Sequence, residues 1–306
     1  MGGNQKVKVS ILSAVHNEAQ YIQAMIDSVL AQTHQDWEIL FVSDGSTDET
    51  ENLILQNAKA DSRIQLVGDG KKIGKVAAFN LAMRYSAGDV IILLAGDDTL
   101  PPDSLAMRIH PLEKWSLTHP DKAAATFCKL KTMSEEPKLD GQILPRGKSA
   151  AHSGGTIAMN RYAASVAFPI PETLVSEDLW LTRAVESLSE HIADIPVPGL
   201  EYRIHENNSN PRRQSFAEMS AAMSARHRAW EELLNSSQIT FDAQARKDLV
   251  TQRDLEFLRR RSALLSILFY PSASIVERLA YLSMANARLY SIRSRYYTLL
   301  SGWRGR

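Results

Sequence analysis

Cysteine is almost missing from this chain. Cys128 is alone among 306 residues, which excludes an intrachain disulfide and a thiolate metal cluster. Its simplest role is that of a small core residue, and a cytoplasmic location is the default. No apolar run approaches the roughly 18 residues of a membrane-spanning helix, and no signal peptide opens the sequence. Net charge is also lacking: 35 basic residues balance 35 acidic ones, so no overall field draws the chain to nucleic acid. There is no internal repeat or low-complexity segment. Neither G-x-G-x-x-G after the first strand nor G-x-x-x-x-G-K-[ST] anywhere is found. A bound phosphate would therefore be met by a metal ion and by scattered cations such as Lys75.

What is present centres on one stretch. Ile91-Ile92-Leu93-Leu94 is fully apolar and reads as a buried strand of a parallel sheet. It runs through Ala95-Gly96 into two adjacent carboxylates, Asp97-Asp98, then Pro101-Pro102. Ligands of open α/β sheets bind beyond the carboxyl ends of the strands. Two neighbouring acids repel unless a cation joins them, and hard oxygen ligands suit Mg²⁺ or Mn²⁺. A solvated turn with an Asp helix cap fits the same two residues.

Upstream, strands are predicted over 8–15, 37–42 and 64–67. Helices are predicted over 21–30, where Tyr21, Ile22, Met25, Ile26, Val29 and Leu30 recur at helical spacing, over 48–60 with Ser46 or Thr47 as cap, and over 75–86. This alternation implies right-handed crossovers and a mostly parallel sheet with helices on both faces. Three loops on one sheet edge then carry acids: Glu18, Asp44 with Asp48, and Asp97 with Asp98. Further on, a helix over 103–118, a strand over 123–130 and an exposed polar loop over 134–148 are expected. Glu177-Asp178 opens an amphipathic helix, where acids also serve as dipole partners.

Val9-Ser10-Ile11-Leu12 to His16-Asn17-Glu18, Val42-Ser43-Asp44-Gly45-Ser46-Thr47-Asp48, Gly74-Lys75 to Asn80, and Gly88-Asp89 to Gly96-Asp97-Asp98 together resemble the family 2 inverting glycosyltransferases of the GT-A fold. The resemblance covers roughly residues 7–205. Family members usually have Pro at the place of Ala14, Tyr at His16 and Asp at Ser43. It implies a nucleotide-binding half over 7–103 and an acceptor-binding half over 104–211. Ala14, Glu18, Asp44, Lys75 and Asp97 would hold the donor nucleotide, with Asp44 accepting from the base N3–H. Asp98 would ligate a divalent cation, Mn²⁺ or Mg²⁺, and His205 would join it or donate to a phosphate. Gly154, Gly155 and Arg203 would line the donor sugar and diphosphate. Asp178 would be the general base, with Glu177 orienting the acceptor.

The resemblance further implies a metal-dependent, hexosyltransferase-like enzyme that moves a sugar from a nucleoside diphosphate, most simply UDP, to a glycan or lipid-linked acceptor in bacterial cell-surface polysaccharide synthesis. The Gln-x-x-Arg-Trp element of processive synthases is absent, so transfer of one or a few sugars is expected. A nucleotidyltransferase, or a sugar-nucleotide-binding scaffold without turnover, are the alternatives. Residues 212–306 leave this core as an α-helical extension. Within it, 251–306 holds ten arginines against Asp254, Glu256 and Glu277, a net +7. Basic amphipathic helices fit a membrane surface, which would place the protein on the inner face; packing on the core or a homo-oligomer fits as well.

Overall fold

The computed structural model describes residues 7–205 and 215–300. Two compact units divide the chain, residues 1–206 and 207–306.

In the first unit, β1 (Val9–Val15), β2 (Trp37–Ser43), β3 (Ile64–Leu66) and β4 (Val90–Leu93) are parallel, in the order β3-β2-β1-β4. The middle strands are buried on both faces because each crossover lays a helix against the sheet. α1 (Ile22–Leu30) turns Ile22, Met25, Ile26 and Val29 inward, the 3.6-residue period in the sequence. α2 (Thr50–Ala60) and α3 (Lys75–Tyr85) complete the crossovers. In place of the predicted Ser46 or Thr47 cap, the N-cap position falls on Glu49, which makes no side-chain capping bond; Asp48 Oδ1, one residue earlier, accepts from Thr50 N at 3.0 Å and from its hydroxyl at 2.5 Å.

α4 (Ser104–Thr118), β5 (Ala124–Ser134), β6 (Ile143–Leu144), β7 (Ile157–Asn160), α5 (Arg161–Ala167), α6 (Asp178–Leu188) and β8 (His191–Ile204) form the other half. β7 is antiparallel to β4 and β5, and β6 to β5. β8 runs parallel to β5. β8 is 14 residues long, and the polar loop expected over 134–148 contributes β6. The β5–β8 ladder slips around Lys129, where β8 carries Pro196 and Pro198, which have no N–H to donate. That slip brings Glu201 to Ile204 beside the loop after β4: Thr99 and Glu201 exchange backbone hydrogen bonds at 3.1 and 2.9 Å.

The second unit comprises α7 (Phe216–Asn235), α8 (Ala243–Arg260), α9 (Leu264–Leu268), α10 (Ile275–Ser283) and α11 (Ala287–Leu300). Capping boxes Ser215/Glu218 and Ser274/Glu277 start α7 and α10. Leu255, Ile267, Ala273, Tyr281 and Ala285 make its core. α10 and α11 are separated at Met284–Asn286, where the Asn286 carboxamide accepts from Leu289 N at 3.0 Å and starts the new helix. α8 and α9 are separated where Ser262 takes φ 52°. The expected boundary at 211/212, the residues Glu206 to Ser209 and the side chain of Tyr296 lie outside what is described.

Candidate active site

The carboxyl ends of β1, β2 and β4 share one edge, and their loops are tied together. Asn17, in the left-handed region at φ 57°, accepts from Thr47 N at 2.8 Å. Glu18 N donates to the Thr50 hydroxyl at 2.8 Å, and Ala19 N to Asp48 Oδ2 at 3.0 Å. Ala14 sits half-buried in β1, in register with Val42, one residue short of this edge.

Asp44 is buried at the end of β2. Its Oδ1 accepts from Ile73 N and Gly74 N, both at 2.7 Å, and Lys72 Nζ lies 3.3 Å from Oδ2. Burial works to raise its pKa, but these N–H groups and Lys72 outweigh that and hold it below the ordinary carboxylate value. Asp44 therefore shapes the loop that leads into α3 while keeping an anionic oxygen.

Asp98 is 4% exposed. Its Oδ1 accepts from Arg203 N at 2.8 Å. The Arg203 Nε donates to the Asp97 carbonyl at 2.8 Å, and His205 Nε2 lies 2.9 Å from Asp97 Oδ2. β8 thus closes over the double-aspartate loop. Tyr21 packs there too, with its ring 4.7 Å from the Arg203 guanidinium carbon and 5.1 Å from the His205 ring. Burial, then the neighbouring charge of Asp97, push Asp98 well above the ordinary carboxylate range. Burial, Asp97 and Asp48 push Glu18 up to about 7. In both, burial is the larger cause and the neighbouring carboxylate charge adds to it.

Across the sheet edge lies a second acidic pair. Glu177 occupies the N-cap position of α6 without a side-chain capping bond, and Asp178 is the first helical residue. Lys75, expected to hold the donor nucleotide, sets Nζ 2.8 Å from Glu177 Oε1. Burial pulls the amine's pKa down, yet Glu177 and Asp178 more than offset it, and the pKa stands at about 12. Glu177 is raised by burial against the pull of Lys75, and its buried Oε2 has no protein partner. Asp178 Oδ1 accepts from Gly154 N at 3.1 Å. A β carbon on Gly154 would stand 2.6 Å from that same oxygen, and one on Gly155 would stand 2.9 Å from Leu200 Cδ2. The two glycines let the turn close onto Asp178 and β8.

Tyr21, Asn17, Lys72 and His152 are the site residues that sequence reading missed. His152 carries the turn: its ring stacks on Phe127 at 3.9 Å and bridges Glu186 at 2.6 Å and Asp194 at 3.0 Å. Asp194 also accepts from Ala150 N at 3.0 Å. From inside, the fully buried Arg108 donates to the carbonyls of Gly155 and Ile157. Asn17 lay inside the His16-Asn17-Glu18 motif and Tyr21 inside the periodic stretch over 21–30; all four gain their partners from distant sequence.

Among the described residues, no group of three or more His, Cys, Asp or Glu side chains is arranged to hold a metal ion. The donor chemistry still fits a hard cation. Mg²⁺-like ions are commonly held by one or two carboxylates, with substrate phosphates and water filling the other positions. Asp98, with Asp97 beside it, is such a partial site.

Comparison with known proteins agrees with this geometry. Residues 10–118 match the family model described as Glycosyl transferase family 2. A UDP-Glc:alpha-D-GlcNAc-diphosphoundecaprenol beta-1,3-glucosyltransferase of Escherichia coli, WfgD, is 37% identical over 106 residues, which are 35% of this chain and 41% of that one. An uncharacterized glycosyltransferase of Nostoc is 37% identical over 100 residues, 32% of this chain and 31% of its own. The matched stretch thus spans about a third to two-fifths of these curated relatives. Among solved structures, S. aureus TarS in complex with UDP-GlcNAc superposes with a TM-score of 0.59 at 15% identity, covering 97% of this chain and 89% of that one. The mannosyltransferase PcManGT of Pyrobaculum calidifontis, in complex with GDP-Man and Mn²⁺, gives 0.58 at 16% identity, covering 97% and 85%. These structural likenesses establish the fold. Residues 10–118 are thus similar to the family 2 glycosyltransferases, and the first unit has the GT-A fold.

Proposed function

We propose that this protein is a metal-dependent, inverting, nonprocessive glycosyltransferase acting on a nucleoside-diphosphate sugar, with a glycan or lipid-linked acceptor in cell-surface polysaccharide synthesis. The observation that carries the reading is the pairing of two carboxylate groups across one sheet edge. Asp44, Asp97 and Asp98 end parallel strands, while Asp178 and Glu177 open α6 opposite them, tied in by Lys75 and Gly154. The names of the relatives, one using UDP-Glc and one structure holding UDP-GlcNAc, favour a UDP-sugar. A cytoplasmic location is part of this reading.

The roles follow from the chemistry. Asp44 Oδ2 meets the base N–H, while Oδ1 stays committed to Ile73 and Gly74. Glu18 and Asp97 face the ribose. Asp98 would hold the divalent cation, which would supply charge stabilisation to the departing diphosphate. His205 and Arg203 lie on the strand that closes over that diphosphate. Asp178 accepts the proton of the acceptor hydroxyl, because a neutral hydroxyl is a poor nucleophile. Its Oδ1 is fixed by Gly154 N, which aims the carboxylate. Glu177 Oε2, buried and free of protein partners, takes a second acceptor hydroxyl. One direct displacement inverts the anomeric centre, so no covalent sugar–enzyme intermediate forms.

Thermal unfolding with UDP, GDP, dTDP and CMP, with and without Mn²⁺, tests this. A ligand at a hundredfold excess over its Kd adds about 2.7 kcal/mol of stability. One diphosphate should raise the Tm in a metal-dependent way, and Asp98→Ala should abolish that rise. A folded protein that no nucleotide shifts would remove the basis of the reading.

A further inference from the structure

The second unit carries apolar side chains where a water-facing helix would carry polar ones. On α10, Ile275, Val276, Leu279 and Ala280 all point outward, a single stripe at i, i+1, i+4 and i+5. Ile275 is 73% exposed and Val276 76%. The opposite face holds Tyr281 and Leu282, which pack in the core, together with Arg278. Beside it, α9 turns Ile267 inward and leaves Leu265 72% and Phe269 73% exposed, with Leu268 also outside. The two helices are locked together: Arg278 donates from Nη1 to the Leu268 carbonyl at 3.2 Å and from Nε to the Ala273 carbonyl at 2.9 Å. The apolar stripe is therefore held outward by the fold. A contiguous exposed apolar patch of this kind marks an interaction surface.

Charge identifies the partner. Between 251 and 295 there are eight arginines and three acids, and each acid is engaged within the fold. Asp254 meets Arg253 at 2.8 Å and accepts from the Tyr270 hydroxyl at 2.7 Å. Glu256 meets Arg259 at 2.6 Å. Glu277 accepts from Ser274 and Gln252. Arg260, Arg261, Arg288 and Arg295 are exposed, and Arg261 lies over the exposed Phe257 ring at 4.4 Å. A second copy of this chain would bring the same uncompensated arginines, so self-pairing of this region sets like charges together. A nucleic acid would match the arginines but leave the apolar stripe in water. An anionic bilayer satisfies both: acyl chains at the headgroup boundary take the stripe, and lipid phosphates take the arginines.

We infer that the α9–α10 face is a docking surface for an anionic lipid bilayer. Docking there is a peripheral contact; no described helix is long and apolar enough to cross a membrane. The inference rests on this unit alone and stands apart from the donor site.

Flotation of the full chain with vesicles tests it. The protein should float with equimolar phosphatidylcholine and phosphatidylglycerol, and not with phosphatidylcholine alone. Binding should fall as salt shortens the screening length from ~10 Å at 0.1 M to ~3 Å at 1 M. The double variant Phe269→Ser/Val276→Ser should lower the partition coefficient on the order of tenfold or more. Arg260→Gln/Arg261→Gln should lower it roughly fivefold per arginine. These side chains lie outside the core, and circular dichroism on each variant checks that the helices persist. Absence of binding at low salt, or equal binding by wild type and both variants, overturns the inference. So does a dimer that the Phe269→Ser/Val276→Ser variant splits while vesicle binding is unchanged, because the face would then join two copies.

Discussion

Replacing Gly154 with alanine separates catalysis from folding. The backbone at Gly154 is not in the left-handed region, so alanine meets no conformational penalty there. It also keeps the N–H that Asp178 accepts. The only new atom is a β carbon 2.6 Å from Asp178 Oδ1 and 3.6 Å from Glu177 Oε1. Overpacking a core costs about 1–3 kcal/mol. Here the atom struck is the end of a carboxylate that can swing away, so the loss should sit near the low end, about 1 kcal/mol. For a unit of this size that is a Tm drop of roughly 2–4 °C. The swing displaces the carboxylate proposed as general base, and a misplacement of about 1 Å costs about a hundredfold in rate. The expected outcome is a kcat reduced about a hundredfold, with nucleotide affinity retained, since Asp44 and its loop are untouched. Gly155→Ala is the control. Its β carbon presses on Leu200, so stability should suffer more than turnover. Steady-state kinetics beside thermal unfolding reads both quantities. A Gly154→Ala enzyme that keeps its kcat within a few-fold of wild type would refute the role given to Asp178.

Lys75→Met leaves Glu177 buried without its cation. Loss of one partner of a buried pair costs about 3–5 kcal/mol, and the partial exposure of Lys75 reduces this to about 1–3; Lys75→Met/Glu177→Gln should recover most of it by denaturant midpoint. The His152 bridge should be pH-dependent. Its hydrogen bond to Glu186 raises its pKa, against burial and aided by Asp194, so its contribution is full below the ordinary imidazole pKa of about 6.5 and is lost as pH rises through the raised value. Glu186 and Asp194 are depressed despite burial, and their share is lost as pH falls below about 4. The Tm gap between wild type and His152→Gln should therefore be widest near about pH 5–6 and close toward pH 8; a gap constant over that range removes the bridge from the account. In the helical unit, Arg259→Met strands the buried Glu256, whose pKa burial would raise but Arg259 and its neighbours hold down to about 2. The unit should lose about 3–5 kcal/mol, measured by hydrogen exchange in α8. The Glu256 contribution is present above the ordinary carboxylate pKa and lost as pH falls through the depressed value.

Much of the first unit is written in the chain order. The apolar runs and period-3.6 patterns from Val9 to Leu94 define the parallel sheet and its helices, and the acids at the strand ends announce the edge where a ligand would lie. Those are local properties, set by burial of one strand or one helix face at a time. The tertiary structure alone decides which acids face which partners. Lys75 meets Glu177 across 102 positions of sequence, and Arg203 N meets Asp98 across 105. The slip in β8 that makes the second contact depends on how Pro196 and Pro198 pair with β5. The helix breaks at Ser262, at φ 52°, and at the Asn286 cap were hidden because strong helix formers surround these single residues. Composition fixed the excess of arginine in the tail. Only the packed helices, by drawing each acid inward and turning Phe269 and Val276 out, made that excess a surface.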